Sequence, residues 1–447
     1  MNNNIGSLLP TVSPTVTAIF DWHKKRGDNE DERGYLGASA IGHHCERMLW
    51  YDFRLCIARD FPGRLYRLFN TGDREEERMV EELRGIGCEV HDVDENGEQF
   101  GFKDLGGHFS GHCDGTGLGI LEAPKTWHVL EFKTHNDKSF KKLQKEGVEK
   151  SKPQHYAQMM IYMGQMGLKR ALYQAKNKND DDLYIERIRF DSKVYKRFMA
   201  KAERVIRSSP PPVRCADRPD TFACKWCDAY KLCWGTSDVA VPLPSKTCRT
   251  CCHVTPEIDE GEDYARWSCA LHQKDISFEE QQVGCDSHIL IPDLISFATV
   301  ADSGESWIEF ENSTDGTRWR HGNGSDGSWR TEELLKTPGP IVGHPAVNAV
   351  KDAFNGEIDY IDDLTLIERY PPEDCEKLWD GNPDENDTIF EVISKEGVDP
   401  YHDITCEYES DTHDAYEFGN KICLVVYKEH NHAAIWRGRN NEQSNTY

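Results

Sequence analysis

The sequence predicts an α/β protein. A mixed sheet flanked by helices is expected over residues 35–239, a small cysteine-rich module over 240–295, and an α+β domain over 296–447. Three observations carry that division. Trp127 to Lys133 alternates like a strand and stands between helical stretches that begin near Thr71 and at Pro153. Cysteines cluster at C-x2-C spacings around a proline-marked break, Val241-Pro242-Leu243-Pro244. Charge also breaks near residue 300: residues 301–447 hold 12 Lys/Arg against 32 Asp/Glu, and residues 1–300 hold 41 against 46.

The 447 residues leave room for two or three domains. Charged residues make up 29%, and mean hydropathy is −0.70. There is no apolar run long enough to span a bilayer and no basic-then-apolar leader, so no membrane association and a cytoplasmic location are expected. Sixteen cysteines in a reducing compartment point to metal rather than disulfides. The net charge of −25 does not exclude a nucleic-acid partner, because the first 300 residues are nearly balanced and can carry a local basic groove.

Residues 1–34 read as a flexible arm, with a short helix near Ala18–Lys25. Ser39 reads as the N-cap of a helix carrying Cys45 and Arg47. In the helix from Thr71, Glu76 shares the inward stripe with Met79, Val80 and Leu83, while Glu77 falls on the wet face. A carboxylate on the inward stripe needs a partner.

The next stretch carries the chemistry. Glu131 and Lys133 share one face of their strand, about 7 Å apart along it. Asp114, flanked by glycines, sits where a neighbouring strand would bring a second carboxylate to the same place. Two carboxylates and an ammonium converging there call for a cation, and hard oxygen ligands suit Mg²⁺ or Mn²⁺. Such a site fits phosphodiester hydrolysis, with the lysine serving the attacking water. Six lysines between Lys138 and Lys152 form either a solvated face or a track for a nucleic-acid backbone. Pro153 opens a helix on which Gln154, Gln158 and Tyr162 make a polar ridge. Strands are expected over 172–175 and 183–190, and a helix over 193–208.

Taken in order, these residues resemble the RecB-type branch of the PD-(D/E)xK nucleases, from about Ser39 to Trp234. Gly72 with Glu76, Asp114, Glu131-Phe132-Lys133, and Gln158 with Tyr162 match the ordered pattern. Cys113 stands where the superfamily's name has proline. The resemblance implies a restriction-endonuclease-like core. Glu76, Asp114, Glu131 and the Phe132 carbonyl would hold the metal, Lys133 would serve the water, and Gln158 and Tyr162 would position the scissile strand.

Two cysteine groups follow. Cys224, Cys227 and Cys233 are spaced as three-quarters of a metal site, and Cys45 is the candidate fourth ligand. One early cysteine and three late ones resemble the iron–sulfur staple of AddB nucleases and CRISPR-adaptation nucleases. That resemblance implies a [4Fe-4S] cluster, with Zn²⁺ as the alternative and Cys215 as a decoy. Further on, Cys248, Cys251, Cys269 and Cys285 read as a structural Zn²⁺ site, with His253, His272 and His288 as rival ligands. Beyond Ser296, Trp307-Ile-Glu-Phe and nearby glycine turns suggest β-hairpins, and Ala346 to Phe354 suggests a helix. Cys375, Cys406 and Cys423 are too scattered to make a site.

The function expected is a metal-dependent DNA exonuclease of recombination or DNA processing, of the phage or bacterial type. By resemblance it would act 5′→3′ on single-stranded ends, alongside an annealing protein or helicase. A flap or structure-specific endonuclease is the enzyme alternative. A non-catalytic DNA-end scaffold is the alternative of another class.

Overall fold

A computed structural model describes residues 13–28, 33–58, 61–234 and 243–336 apart from 260, 262, 314–315 and 325–327, together with five C-terminal strands. The chain divides into two compact units, residues 1–230 with 253–283, and residues 231–252 with 284–447.

The first unit runs α1 (Pro14–Gly27), β1 (Leu36–Gly37), α2 (Glu46–Phe53), α3 (Gly63–Gly85), β2 (Glu89–His91), β3 (Gly101–Asp104), β4 (Phe109–His112) and β5 (Gly115–Leu118). It continues with β6 (His128–His135), α4 (Asp137–Ser151), α5 (Pro153–Gln165), β7 (Arg170–Asn177), β8 (Leu183–Arg189) and α6 (Ser192–Arg207). Five strands form the main sheet in the order β2-β5-β6-β7-β8. Only β6 and β7 run parallel, and the α4–α5 pair makes the crossover that parallel neighbours require. The order β1-β4-β3 makes a second, smaller sheet.

β6 is central because its residues suit burial on both faces. Leu130 and Phe132 pack with Leu172 of β7 and with Met79, Val80 and Leu83 of α3. Glu131, Lys133 and His135 alternate onto the other face. α4 is capped by Asn136, whose side chain accepts the Ser139 amide at 2.9 Å. It kinks at Gly147, where φ is +73°, and Glu186 of β8 accepts the Val148 amide there at 2.8 Å. Pro153 starts α5 as the sequence predicts.

Three local readings change. α3 begins at Gly63 rather than at Thr71, since Gly72 sits inside the helix and does not interrupt it. The N-cap of α2 is Cys45, not Ser39; residues 38–42 are turns, and the Leu36 and Ala38 amides bond to the His108 and Ser110 carbonyls. Residues 14–27 of the expected arm form a full helix laid on α3.

The segment expected as a separate module over 240–295 is divided between the two units. Residues 253–283 carry a small sheet of β9 (Val254–Pro256), β10 (Trp267–Cys269) and β11 (Lys274–Asp275). They join the first unit through buried contacts. His108 Nε2 lies 3.0 Å from the Glu257 and Arg266 carbonyls, Arg54 donates to the Val254 carbonyl at 3.2 Å, and Trp267 packs 5.2 Å from the Phe53 ring.

In the second unit, β12 (Ala298–Ser303), β13 (Trp307–Asn312) and β14 (Arg318–Gly322) form the antiparallel hairpins expected near Trp307. Phe310 stacks on Trp319 at 4.8 Å in their core. β15 (Leu364–Tyr370), β16 (Ile404–Glu409), β17 (His413–Phe418), β18 (Ile422–Tyr427) and β19 (His432–Gly438) make a second antiparallel sheet. The helix expected over 346–354 and Cys375 lie outside the described residues. Among the described residues, no helix is long and apolar enough to cross a membrane.

Candidate active site

The junction between the β1-β4-β3 sheet and the main five-stranded sheet makes the site. β4 ends at His112, Cys113 and Asp114 follow, and β5 starts at Gly115. Gly115 has φ of +138°, and a Cβ there would stand 2.6 Å from the His91 carbonyl, so only glycine lets β5 turn away at that point. The turn aims Asp114 at β6. Its Oδ2 accepts the Phe132 amide at 2.6 Å, beside the Gly115–Leu130 pairing of β5 with β6.

Glu131 is fully buried at 0% exposure. Lys133 Nζ stands 2.6 Å from Glu131 Oε1 and 3.8 Å from Asp114 Oδ2. At 2.6 Å the Lys133 ammonium is the close charged partner of Glu131, and no other donor reaches either carboxylate oxygen. Nζ also donates to the Phe132 carbonyl at 2.8 Å. That carbonyl, expected as an extra metal ligand, therefore already has one donor.

Burial pushes the Glu131 carboxyl up to about 8; Lys133 opposes the shift and Asp114 adds to it. Burial and the Asp114 charge push Glu76 up to about 7, with Lys133 again opposing. Burial disfavours the charged Lys133, but Glu131 and Asp114 outweigh it and hold the ammonium well above the usual lysine value. Three acids thus share one cation, and two of them are partly neutralised by protons at neutral pH. Such a cluster could take up a further cation only by releasing those protons.

Glu76 comes from α3, one turn before Met79 and Val80, and is half-buried, whereas Glu77 is exposed as its helical position predicts. Glu75 pairs with Lys176 of β7 at 2.8 Å. On α5, Gln158 Nε2 donates to the Tyr162 hydroxyl at 3.3 Å. That hydroxyl donates to the His112 carbonyl at 2.6 Å, just ahead of Asp114. Gln158 and Tyr162 are both buried, while Gln154, the third residue of the expected ridge, is exposed. The structure therefore brings Glu76, Asp114, Glu131, Lys133, Gln158 and Tyr162 together. Among the described residues, no three His, Cys, Asp or Glu side chains close into a preformed metal-holding group. The carboxylates converge as a charge cluster.

A neighbouring group was not anticipated from the sequence. The Tyr173 hydroxyl lies 2.9 Å from both His135 Nε2 and His155 Nδ1, and the three rings stack. Ser139 Oγ is 3.4 Å from His135 Nδ1 and accepts from Lys152. Burial, with nearby lysines, pushes His135 down to about 4 and His155 down to about 3, so both are neutral at neutral pH. The only signal in the sequence was His135 continuing the 131–133 alternation. Of the six lysines, Lys141 and Lys142 pair along α4 with Asp137 and Glu146; Lys138, Lys141, Lys142, Lys145 and Lys150 are exposed, and Lys152 is half-buried.

The cysteines fall as follows. Cys45, at the N-cap of α2, and Cys224, in α7 (Phe222–Lys225), are buried, and Cys227 is half-buried with its Sγ 3.7 Å from Met48 Sδ. The free Cys215 thiol, though exposed, neighbours Cys45 and Cys224, and partial burial together with these two neighbours pushes it up to about 12. Cys215, read as a decoy, thus stands among the other thiols. Cys233, in α8 (Tyr230–Trp234), falls in the second unit. Cys248, Cys251 and Cys285 also belong to the second unit and Cys269 to the first; Cys285 is exposed and the other three are buried. His288 Nε2 donates to the Thr247 carbonyl at 2.8 Å, and Nδ1 lies 2.8 Å from Thr331 Oγ1, so both ring nitrogens of that rival ligand are engaged. His253 is half-buried and His272 exposed.

No family model matches the sequence. No curated protein matches it. Among solved structures, the chain is similar to the crystal structure of SSO0001, with 14% identity and a TM-score of 0.29 over 48% of this chain and 92% of that one. It is also similar to an alkaline exonuclease, LHK-Exo, from Laribacter hongkongensis. That likeness has 16% identity and a TM-score of 0.28, covers 42% of this chain and 89% of the other, and extends to the same protein in complex with dAMP. Likenesses this faint leave the assignment to the side chains themselves.

Proposed function

We propose that this chain is a divalent-metal-dependent deoxyribonuclease. It would hydrolyse DNA exonucleolytically, with 5′→3′ action on single-stranded ends favoured. The observation that carries the reading is Glu131, a fully buried acid that shares the single Lys133 ammonium with Asp114 and lies within the field of Glu76. Three acids around one ammonium leave an excess of negative charge that a further cation would offset, and a set of oxygen donors suits Mg²⁺ or Mn²⁺. Glu76, Asp114 and Glu131 would hold that ion, which supplies Lewis acidity toward a phosphodiester.

Lys133 is tethered to the Phe132 carbonyl and kept charged, so it can orient an attacking water and offset negative charge as it develops. Tyr162 and Gln158 brace the β4–β5 turn through the His112 carbonyl and thereby hold Asp114 in place. Cys45, Cys224, Cys227 and Cys233 would hold a [4Fe-4S] cluster or Zn²⁺, and Cys248, Cys251, Cys269 and Cys285 a structural Zn²⁺. Partners would be DNA ends and a recombination, annealing or helicase protein.

The deciding experiment uses end-labelled single- and double-stranded DNA of either polarity, and a circular substrate, with Mg²⁺, Mn²⁺ or EDTA. Metal-dependent release of nucleotides from linear ends, with circles spared, is expected. Cutting of circles would replace exonuclease with endonuclease, and no cutting with either metal would sink the nuclease reading.

A further inference from the structure

α1 lies directly on α3 because two glycines leave no side chain between them. A Cβ on Gly63 would collide with the Phe20 carbonyl, and one on Gly27 with the Tyr66 ring. Along this seam opens a cleft of about 680 Å³. Its charge is one-sided. Arg26, Arg33, Arg67 and Arg74 line it against two carboxylates, Asp73 and Glu75, and Glu75 is already paired with Lys176.

Its apolar content is aromatic and left in water. Trp22 is 54% exposed and Phe69 48% exposed. The Arg26 guanidinium sits 4.7 Å from the Trp22 ring centroid, and Tyr66 meets Phe69 edge-on at 6.1 Å. The cleft also has a direction. Asp73, Arg74 and Glu75 are the last residues of α3 to line it, and Glu76, an acid of the site, is the next residue of the helix. From Arg67 to Glu76 the helix rises about 13 Å.

We infer that the α1–α3 cleft binds a single strand of nucleic acid and leads it to the Glu76–Asp114–Glu131 cluster. This deepens the nuclease reading and rests on it for the strand's destination. Arginines beside exposed aromatic rings are what an unpaired strand requires: cations follow the phosphates, and ring faces stack on bases. A duplex hides its base faces inside its own stack, so Trp22 and Phe69 would find no partner on it. The selectivity therefore falls between single and double strands.

The test uses the full chain in EDTA, so that binding is read without cleavage. A fluorescein-labelled oligo(dT) of about twenty nucleotides and a blunt duplex of equal length are titrated by anisotropy. Trp22→Ala/Phe69→Ala should weaken oligo(dT) binding at least ~10-fold while leaving duplex binding within ~3-fold. Arg67→Gln/Arg74→Gln keeps the helix and should lower the steepness of the salt dependence for oligo(dT) by about 1.4, roughly 0.7 for each phosphate that the missing arginines no longer neutralise. All four positions are exposed on helices, and circular dichroism melts identical to the parent's confirm that the variants fold.

Parental oligo(dT) affinity in both variants would overturn the inference, as would equal losses on single strand and duplex. A parent that binds oligo(dT) through these residues but never cuts with Mg²⁺ or Mn²⁺ keeps the cleft and discards the nuclease. A parent that cuts single strands, with variants that bind and cut them equally well, discards the cleft alone.

Discussion

Asp114 Oδ2 and the Phe132 amide are 2.6 Å apart, and this hydrogen bond fixes the site's geometry. It ties the β4–β5 turn to the strand residue between Glu131 and Lys133. A change at Asp114 therefore removes a ligand and also releases the register of the two strands at the point of chemistry.

Asp114→Ala, Glu131→Ala and Lys133→Ala should each reduce cleavage by at least ~10²-fold with DNA binding retained. Steady-state rates and electrophoretic binding on one labelled substrate read both quantities. Asp114→Ala should also lower the melting temperature, because the Phe132 amide loses its acceptor. Rates near the parent's in any of the three would contradict the assigned roles.

Glu76→Ala should match those losses, whereas Glu77→Ala, on the exposed side of α3, should cut like the parent. Equal losses at both positions would mean that the helix face had been assigned wrongly.

The raised acids make a pH prediction. Glu76 and Glu131 have folded values of about 7 and about 8, above the ordinary 4.5. The folded protein therefore holds protons that the unfolded chain has released. Their contribution to stability is fully present below about pH 4.5 and is lost as pH rises through 7 to 8. In EDTA the melting temperature should fall across that interval, and Glu131→Gln should flatten the fall. Mg²⁺ or Mn²⁺ should raise the melting temperature most at the alkaline end, where the ligands are ionised. Thermal scans from pH 5 to 9 check this, and a metal effect that is largest at acid pH would refute it.

Cys45, Cys215 and Cys224 make a group that can be tested separately. Protein purified without oxygen should be brown, with a broad absorbance near ~400 nm. Cys227→Ser and Cys45→Ser should bleach it and lower the melting temperature. Comparing Cys215→Ser with Cys233→Ser decides which of those two completes the set: only the true ligand's replacement should lose colour. A colourless protein with two zinc ions per chain would replace iron–sulfur with zinc at this position.

Tyr162→Phe removes only the hydroxyl that donates to the His112 carbonyl. It should slow cleavage about tenfold, since one buried hydrogen bond of about 1–1.5 kcal/mol holds the turn carrying Asp114. Metal titration should show weaker apparent affinity as well. An unchanged metal requirement with unchanged rate would remove Tyr162 from the site.

The sequence alone determined the strand of Glu131 and Lys133, the inward position of Glu76, the start of α5 at Pro153 and the pairing potential of Asp114. Each follows from a period of two or 3.6 residues or from a proline, and such signals are local. What only the tertiary structure decided is non-local. The N-terminal helix looked like a polar arm because almost all of its side chains stay in water, and only the missing Cβ atoms of Gly27 and Gly63 let it seat on α3. His135, His155 and Tyr173 come from three elements that meet through the β6–β7 register. Cys215 came to lie beside Cys45 and Cys224 through a chain path that no spacing rule records. Periodicity tells which way a side chain points along its own element. What it meets there depends on how distant elements pack, and that was fixed only when the sheet and its helices closed around the buried Glu131.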